Sequence, residues 1–334
     1  MSGKHPAGLV VHYVLLLPLA ACGVFGLSQE DRQSLVRYQS NAQIYWEGGR
    51  LDQAMDQVRR GLELAPDDYK LRTIRAWCRL RQANEQPQLV DDVVAEFDAL
   101  LDLRGDDEHG PQARLGYAKA HSLRGVRALQ QARELEASLT ERPTSDKQIQ
   151  EATAQIGSWE EEAMADFDHS EQELTKLTER GESLLMAHYD LMTVKWWRGD
   201  YESAVIAGNA YLARVFELQD RVRRELERTL IVGYEEEERS RLQRLTDDEL
   251  NVRAFIANMH YKRGHHDLVV DQLDAVLAKD PERHHQYYNR GRSFAALGRS
   301  GDARRDLERF LATTRLPRDS TQVRDALRQL RELP

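Results

Sequence analysis

The sequence predicts an all-α protein assembled from repeated pairs of antiparallel helices. Two observations carry that prediction. Residues 250 to 313 read as one unit written twice, LNVRAFIANMHYKRGHHDLVVDQLDAVLAKDPER followed by HHQYYNRGRSFAALGRSGDARRDLERFLAT. At a period of 34, Gly264 falls on Gly298, Leu273 on Leu307, Val276 on Phe310 and Leu277 on Leu311. Elsewhere, from 33 to 332, apolar residues recur three and four apart, and no stretch alternates with period two for long.

A small residue sits in the first helix of each copy, Ala257 and Gly291, where two helix backbones must approach closely. This pattern resembles the tetratricopeptide repeat, a helix–turn–helix unit of the same length. The resemblance covers roughly 33 to 104 and 182 to 313. It implies a TPR-like α-solenoid, a binding scaffold whose ligand the repeat does not specify.

Taken in order, the first pair lies within RYQSNAQIYWEGGRLDQAMDQVRRGLELAPDD. Tyr38, Ala42 and Tyr45 share one helical face, Gly48-Gly49 makes the turn, and Ala54, Val58, Gly61 and Leu62 supply the facing surface. Pro66 ends that helix, because proline has no amide to continue the ladder. A second pair runs through Leu71, Ile74, Trp77, Cys78 and Leu80, then Leu89, Val93, Phe97, Leu100 and Leu101. RLGYAKAHSLRG reads as another first helix with its turn at Gly125, which closes an N-terminal repeat region at 33–125.

The repeat pattern then breaks. Val126 to Leu139 carries a helix past normal repeat length, and Arg142-Pro143-Thr144 stops it. Ser145 with Gln148 forms a capping box that starts a new helix. Its apolar residues run Ile149, Ala152, Ile156, Trp159, Ala163, Phe167, Ser170, Leu174, Leu177, a heptad seam with one extra residue. Residues 126–180 therefore read as an inserted long helical hairpin, or as two elongated repeat helices. The repeats resume over 181–334, with a turn at Gly199, an overrunning helix to Gly233, and a capping box at Thr246–Glu249 that starts the next first helix. After Pro317, STQVRDALRQLREL forms a final helix with Arg324, Asp325, Arg328 and Gln329 as its outer face, the polar cap that solenoids need.

The N-terminus carries a separate signal. Lys4 precedes an apolar run from Leu9 to Ala21, too short for a membrane span of about 20 residues but suited to a signal-peptide core. It ends in Leu19-Ala20-Ala21-Cys22, which resembles a bacterial lipobox. The expected organisation is a lipoprotein signal peptide at 1–21, with Cys22 lipidated and a tether at 22–32. Gly23 follows the cysteine where an inner-membrane retention signal would place aspartate, so the outer membrane is expected over the inner. The only other cysteine, Cys78, has no partner if Cys22 carries lipid, and it reads as a small buried hydrophobe.

The net charge of −9, from 47 basic and 56 acidic residues, argues against general nucleic-acid binding. No phosphate loop, nucleophile elbow or zinc-protease helix is present in the sequence, and no catalytic residue or cofactor is expected. Five histidines crowd 260 to 285, but His265 and His266 fall in a turn while His284 and His285 fall at the next junction. A helix of roughly 20 Å separates the two places, so no metal site is expected. Of the adjacent Trp196 and Trp197, one is expected in the core and the other outward.

The resemblance places a partner groove along the first helices, where Asn251, Asn258, Tyr261, Lys262, Tyr288, Asn289 and Arg292 would face out. Asn258 and Asn289 match the lysine–asparagine clamp with which some members hold a terminal carboxylate. Ala254 stands where the clamp lysine belongs. The expected function is that of a non-enzymatic lipid-anchored scaffold, binding a protein or peptide at the bacterial envelope. The alternative is an enzyme or substrate-binding protein with its site between the hairpin and the groove. The sequence leaves the oligomeric state open.

Overall fold

The structure, a computed structural model, describes residues 26–104, 110–141, 145–179, 185–228 and 233–334. The expected signal peptide and Cys22 lie outside the described residues. The chain forms two compact units, one ending at Cys78 and one beginning at Arg79. Among the described residues there are thirteen α-helices, one short 3₁₀ turn and no strand, so the chain is an all-α, TPR-like solenoid of antiparallel helix pairs. No described helix is long and apolar enough to cross a membrane.

The first unit holds α1 (Gln29–Glu47), α2 (Leu51–Leu64) and the start of α3 (Tyr69–Ala83). Ser28 caps α1, its hydroxyl accepting from the Asp31 amide at 3.1 Å. Leu35, Ala42, Ala54, Val58, Leu71, Ile74 and Cys78 form one core, and Cys78 is fully buried there. Gly61 lets Leu71 pack directly on the helix backbone, in the space a methyl group would take.

The second unit continues with α4 (Val90–Arg104), α5 (Gly110–Glu141), α6 (Asp146–Glu179), α7 (Leu185–Trp197) and α8 (Tyr201–Arg228). Then come α9 (Tyr234–Lys262), α10 (His266–Lys279), α11 (His284–Ala296), α12 (Ser300–Thr313) and α13 (Thr321–Glu332). One turn design recurs four times across the two units. Gly49, Gly199, Gly264 and Gly298 all have φ between 72° and 79°, the left-handed region that glycine enters without a Cβ penalty. In each case the next amide reaches back five residues, Arg50 to Tyr45, Asp200 to Lys195, His265 to His260 and Arg299 to Phe294, at 2.8–3.0 Å. Five residues after each glycine stands a small or β-branched residue, Ala54, Ala204, Val269 or Ala303, at most 1% exposed. The glycine closes the turn, and the small residue lets the second helix lie close against the first.

Two local expectations are corrected. Gly125 is not a turn, because α5 runs through it without a break. Its role is close packing, since a Cβ there would stand 2.9 Å from the Phe167 ring and 3.1 Å from the Ala163 carbonyl of α6. The hairpin thus begins at Gly110 rather than at 126. The Thr246 box does not start a helix either, because α9 has already begun at Tyr234. The Thr246 hydroxyl donates back to the Leu242 carbonyl at 2.9 Å, while burial of Leu245 and Glu249 holds the helix straight through. The Ser145 box does start α6, with the Ser145 amide donating to Gln148 at 3.1 Å.

The seam of α6 is buried only in its C-terminal half, at Ala163, Phe167, Ser170, Leu174 and Leu177. None of the described residues from Arg133 to Thr140 or from Ser145 to Glu162 is buried. The far end of the α5–α6 hairpin is therefore an arm with half-covered apolar side chains, and Ile149 is 43% exposed.

Candidate partner-binding surface

In the C-terminal repeats the first helices are the second half of α9, then α11. The helix α13 takes the same place after α12, covering a core of Leu277, Tyr287, Tyr288, Leu307, Phe310, Val323 and Ala326. This placement decides what the expected groove residues can do.

Asn258 and Lys262 are exposed and make no hydrogen bond or ion pair to other described residues, so they remain open to a partner. Asn251 is exposed, but its amide oxygen accepts from Arg283 at 2.7 Å. Asn289 is half-buried and donates to Gln286 at 3.2 Å. Tyr288 is not a groove residue. It is 8% exposed, its ring lies 5.1 Å from that of Phe310, and its hydroxyl donates to Asp325 at 2.8 Å. The reason is α13, which covers the position that an open end would leave free.

Tyr261 and Arg292 form a ladder across the first helices. The Arg292 guanidinium lies 4.6 Å from the centre of the Tyr261 ring and 5.3 Å from that of Tyr288, and it also donates to the Tyr261 hydroxyl. Asp325 approaches the Arg292 Nε to 3.6 Å. The final helix therefore turns Asp325 and Gln329 inward, not outward, and Asp325 is only 15% exposed. Its outer face is Arg324, Leu327, Arg328 and Arg331. Burial would raise the Asp325 carboxyl, but hydrogen bonds from Arg328, Tyr288 and Gln329, with the charge of Arg292, hold it below the usual range. Burial and the bond to Asp325 push the Tyr288 hydroxyl up to about 12.

Trp196 and Trp197 do not part company. Their rings meet T-shaped with centroids 4.7 Å apart, Trp196 lies 5.5 Å from Phe255, and the Arg133 guanidinium sits 5.5 Å from the centre of Trp197. Both are half-buried and engaged by their own chain.

A second polar assembly lies inside the hairpin, and the sequence reading missed it. The buried His121 on α5 shares a hydrogen bond of 2.7 Å, through Nδ1, with the buried Asp166 on α6. Arg124 grips the same carboxylate at 2.9 and 2.7 Å. Burial opposes ionisation of Asp166, but the bonds from His121 and Arg124 outweigh it and lower its pKa. Arg114 and Lys176 hold Glu173 about two turns further along the same side of α6, and Lys119 holds Asp190 of α7 at 2.8 Å. The available signal was Asp166, Ser170 and Glu173, spaced four and three apart on the seam side of α6.

The place where the alternative put an active site holds an open cleft of about 590 Å³ between α6 and the α7–α8 turn. Its charges are spent on one another, Glu171 accepting from both Lys195 and Arg198 at 2.6 Å. Among the described residues no three histidine, cysteine or carboxylate side chains converge to hold a metal.

No family model and no curated protein matches the chain. Solved structures do. The protein in "Functional Characterization of Pseudomonas Aeruginosa pilF" shares 14% identity, with 90% of this chain and 100% of that one covered, at a TM-score of 0.50. YrrB, described as a TPR protein with an unusual peptide-binding site, shares 14% identity over 81% of this chain and 97% of its own, at 0.46. A thermophilic TPR protein of Thermus thermophilus shares 14% over 80% and 98%, at 0.39. At such identities the likeness speaks to the fold alone.

Proposed function

We propose that the chain is a non-enzymatic scaffold, lipid-anchored at Cys22 in the bacterial envelope, that presents the first-helix surface of its C-terminal repeats to a protein or peptide. The observation that carries the reading is the contrast along that surface. Tyr261 and Arg292 are locked to each other and to Asp325, while Asn258 and Lys262 beside them stay uncommitted. A rigid aromatic and cationic ladder flanked by free amide and ammonium groups suits an extended peptide, because the surface loses little entropy when it binds.

The membrane half of the proposal rests on Leu19-Ala20-Ala21-Cys22 behind the apolar run, and Gly23 favours the outer membrane. Two experiments test the whole. Affinity capture with detergent-solubilised protein names the partner, and Asn258→Ala with Lys262→Ala then weakens it by about 1–2 kcal/mol. Unchanged affinity moves the site off these helices. Separately, Cys22→Ser releases the protein from membranes, and a variant that still sediments with them fully removes the lipid anchor from the proposal.

A further inference from the structure

We infer that the exposed arginine face of α13 receives the acidic helical arm of a second copy of this chain. This goes beyond the partner reading and stands without it.

Charge is segregated along the sequence. From Arg283 to Pro334 there are twelve arginines, no lysine and six carboxylates, in a chain whose net charge is −9. Some of these arginines are neutralised locally, Arg290 by Asp274 and Asp306 and Arg299 by Asp302. Arg324 and Arg331 pair with no carboxylate among the described residues. They share one face of α13 with Arg328 and with Leu327, which is 45% exposed. The spacing of 324, 327, 328 and 331 is one helical stripe, so the surface it fits is itself elongated and helix-shaped.

The position of that stripe gives it meaning. In the repeats each first helix is followed by a second one packed on it, as α10 follows α9 and α12 follows α11. The helix α13 stands in a first-helix place, and among the described residues no second helix covers its outer face. A repeat stack continues by adding a helix to such a face, and a helix of another molecule can take that place.

The same chain carries a helical element of opposite charge. The outer arm of α5 and α6 bears seven exposed carboxylates over 133–140 and 145–162, against Arg133 and Lys147. Arg133 is already engaged by Trp197, and Lys147 lies 3.7 Å from Glu151. Between the charges lie Ile149, which is 43% exposed, and the partly exposed Ile156 and Trp159, which offer apolar surface to Leu327. Within one molecule α7 to α12 intervene between arm and stripe, each packed on its chain neighbours. The contact is therefore between copies. It joins two different surfaces, so it is heterologous and adds molecules head to tail. Opposite exposed charges make it salt-sensitive.

The test uses the full chain carrying Cys22→Ser, so that lipid plays no part, and reads mass by sedimentation equilibrium. The mass is expected to climb with concentration at low salt and to fall towards the monomer as salt shortens the Debye length to about 3 Å at 1 M. Two further variants break opposite halves of the contact. One carries Arg324→Ala with Arg331→Ala, the other Glu151→Gln with Glu160→Gln, and circular dichroism checks that both remain helical. Each alone should associate at least about tenfold more weakly, which is about 1.4 kcal/mol. Mixed, they should form a dimer and nothing larger, because the intact arm of the first meets the intact stripe of the second. A parent chain that stays monomeric at low salt overturns the inference, as does association that survives in either variant or a mixture that forms no dimer. A monomeric parent whose capture of another acidic protein depends on Arg324 and Arg331 also overturns it, and gives the stripe to that protein.

Discussion

Arg292 of α11 lies 4.6 Å above the ring of Tyr261 on α9 and donates a hydrogen bond to its hydroxyl. The pair joins two successive first helices by a contact that needs a planar cation. Arg292→Lys is therefore not conservative, since an ammonium cannot lie flat on the ring while also reaching the hydroxyl and Asp325. A double-mutant cycle of Arg292→Ala with Tyr261→Leu should give a coupling of about 0.5–2 kcal/mol in urea unfolding. Additive single effects would show that the pair is only an accident of proximity.

Tyr288 behaves as a core residue. Tyr288→Ala removes a ring packed on Phe310 under α13 and should cost about 3–5 kcal/mol. Tyr288→Phe keeps the ring and loses only the bond to Asp325, which Arg328 and Gln329 still satisfy, so about 1 kcal/mol goes. Thermal unfolding of the two single variants measures the difference. Equal losses would count against this assignment.

How far the sequence could be read follows from the range of each interaction. The turns were legible because Gly264 and Gly298, with Val269 and Ala303, are local signals confined to one helix junction. The Ser145 box was legible for the same reason. Gly125 and Thr246 are equally local, but contacts from distant segments overrule them, Phe167 in one case and, in the other, Gln219 and Lys279, which bond to the buried Glu249. At the surface, repeat position alone puts Tyr288 in the groove, and only the way the chain returns after Pro317 covers it. His121 and Asp166 lie 45 residues apart, and nothing in either helix alone points to the other.

Asp166 offers the largest single stability effect in the hairpin. Asp166→Ala leaves His121 and Arg124 without their shared acceptor in a site where the carboxylate side chain is 6% exposed. Removing one partner of a buried ion pair typically costs about 3–5 kcal/mol. The loss should appear in the urea midpoint of the purified protein, and a change below about 1 kcal/mol would sink this account of the cluster.

Two glycines should respond to the same substitution with opposite signs. Gly116 faces the Phe97 ring so closely that an added methyl must displace it, and Gly116→Ala should cost about 1–3 kcal/mol. Gly157 lies inside α6 with no neighbour within 4 Å of a new Cβ. Gly157→Ala should gain about 0.5–1 kcal/mol, because alanine loses less backbone entropy in a helix. Matching signs in thermal melts would contradict the packing described for one of them.

Acidification should destabilise the fold in two steps. His260 is 7% exposed, and burial, with the nearby His265 and Arg263, lowers its pKa from 6.5 against a smaller opposing pull from Asp267. A folded pKa below the unfolded one means that the unfolded chain takes up the proton first. Stability is then full above pH 6.5 and declines as pH falls from there to the folded value. The second step belongs to Asp166, Glu173, Glu249 and Asp325, each pulled below its ordinary 3.8 or 4.5 although burial opposes it. Glu249 shows why, since Gln219, Arg253 and Lys279 from three helices all donate to its fully buried carboxylate. Such groups stabilise above about pH 4.5, and the contribution disappears as pH falls through their lowered folded values. Urea midpoints measured at neutral pH, between the steps and below the second should fall in sequence. His260→Gln should shrink the first decline to the part contributed by His188 and His285, whose pKa values burial also lowers, and leave the second. A first decline undiminished in that variant would assign it to those two histidines, and a midpoint that rises on acidification would contradict both steps.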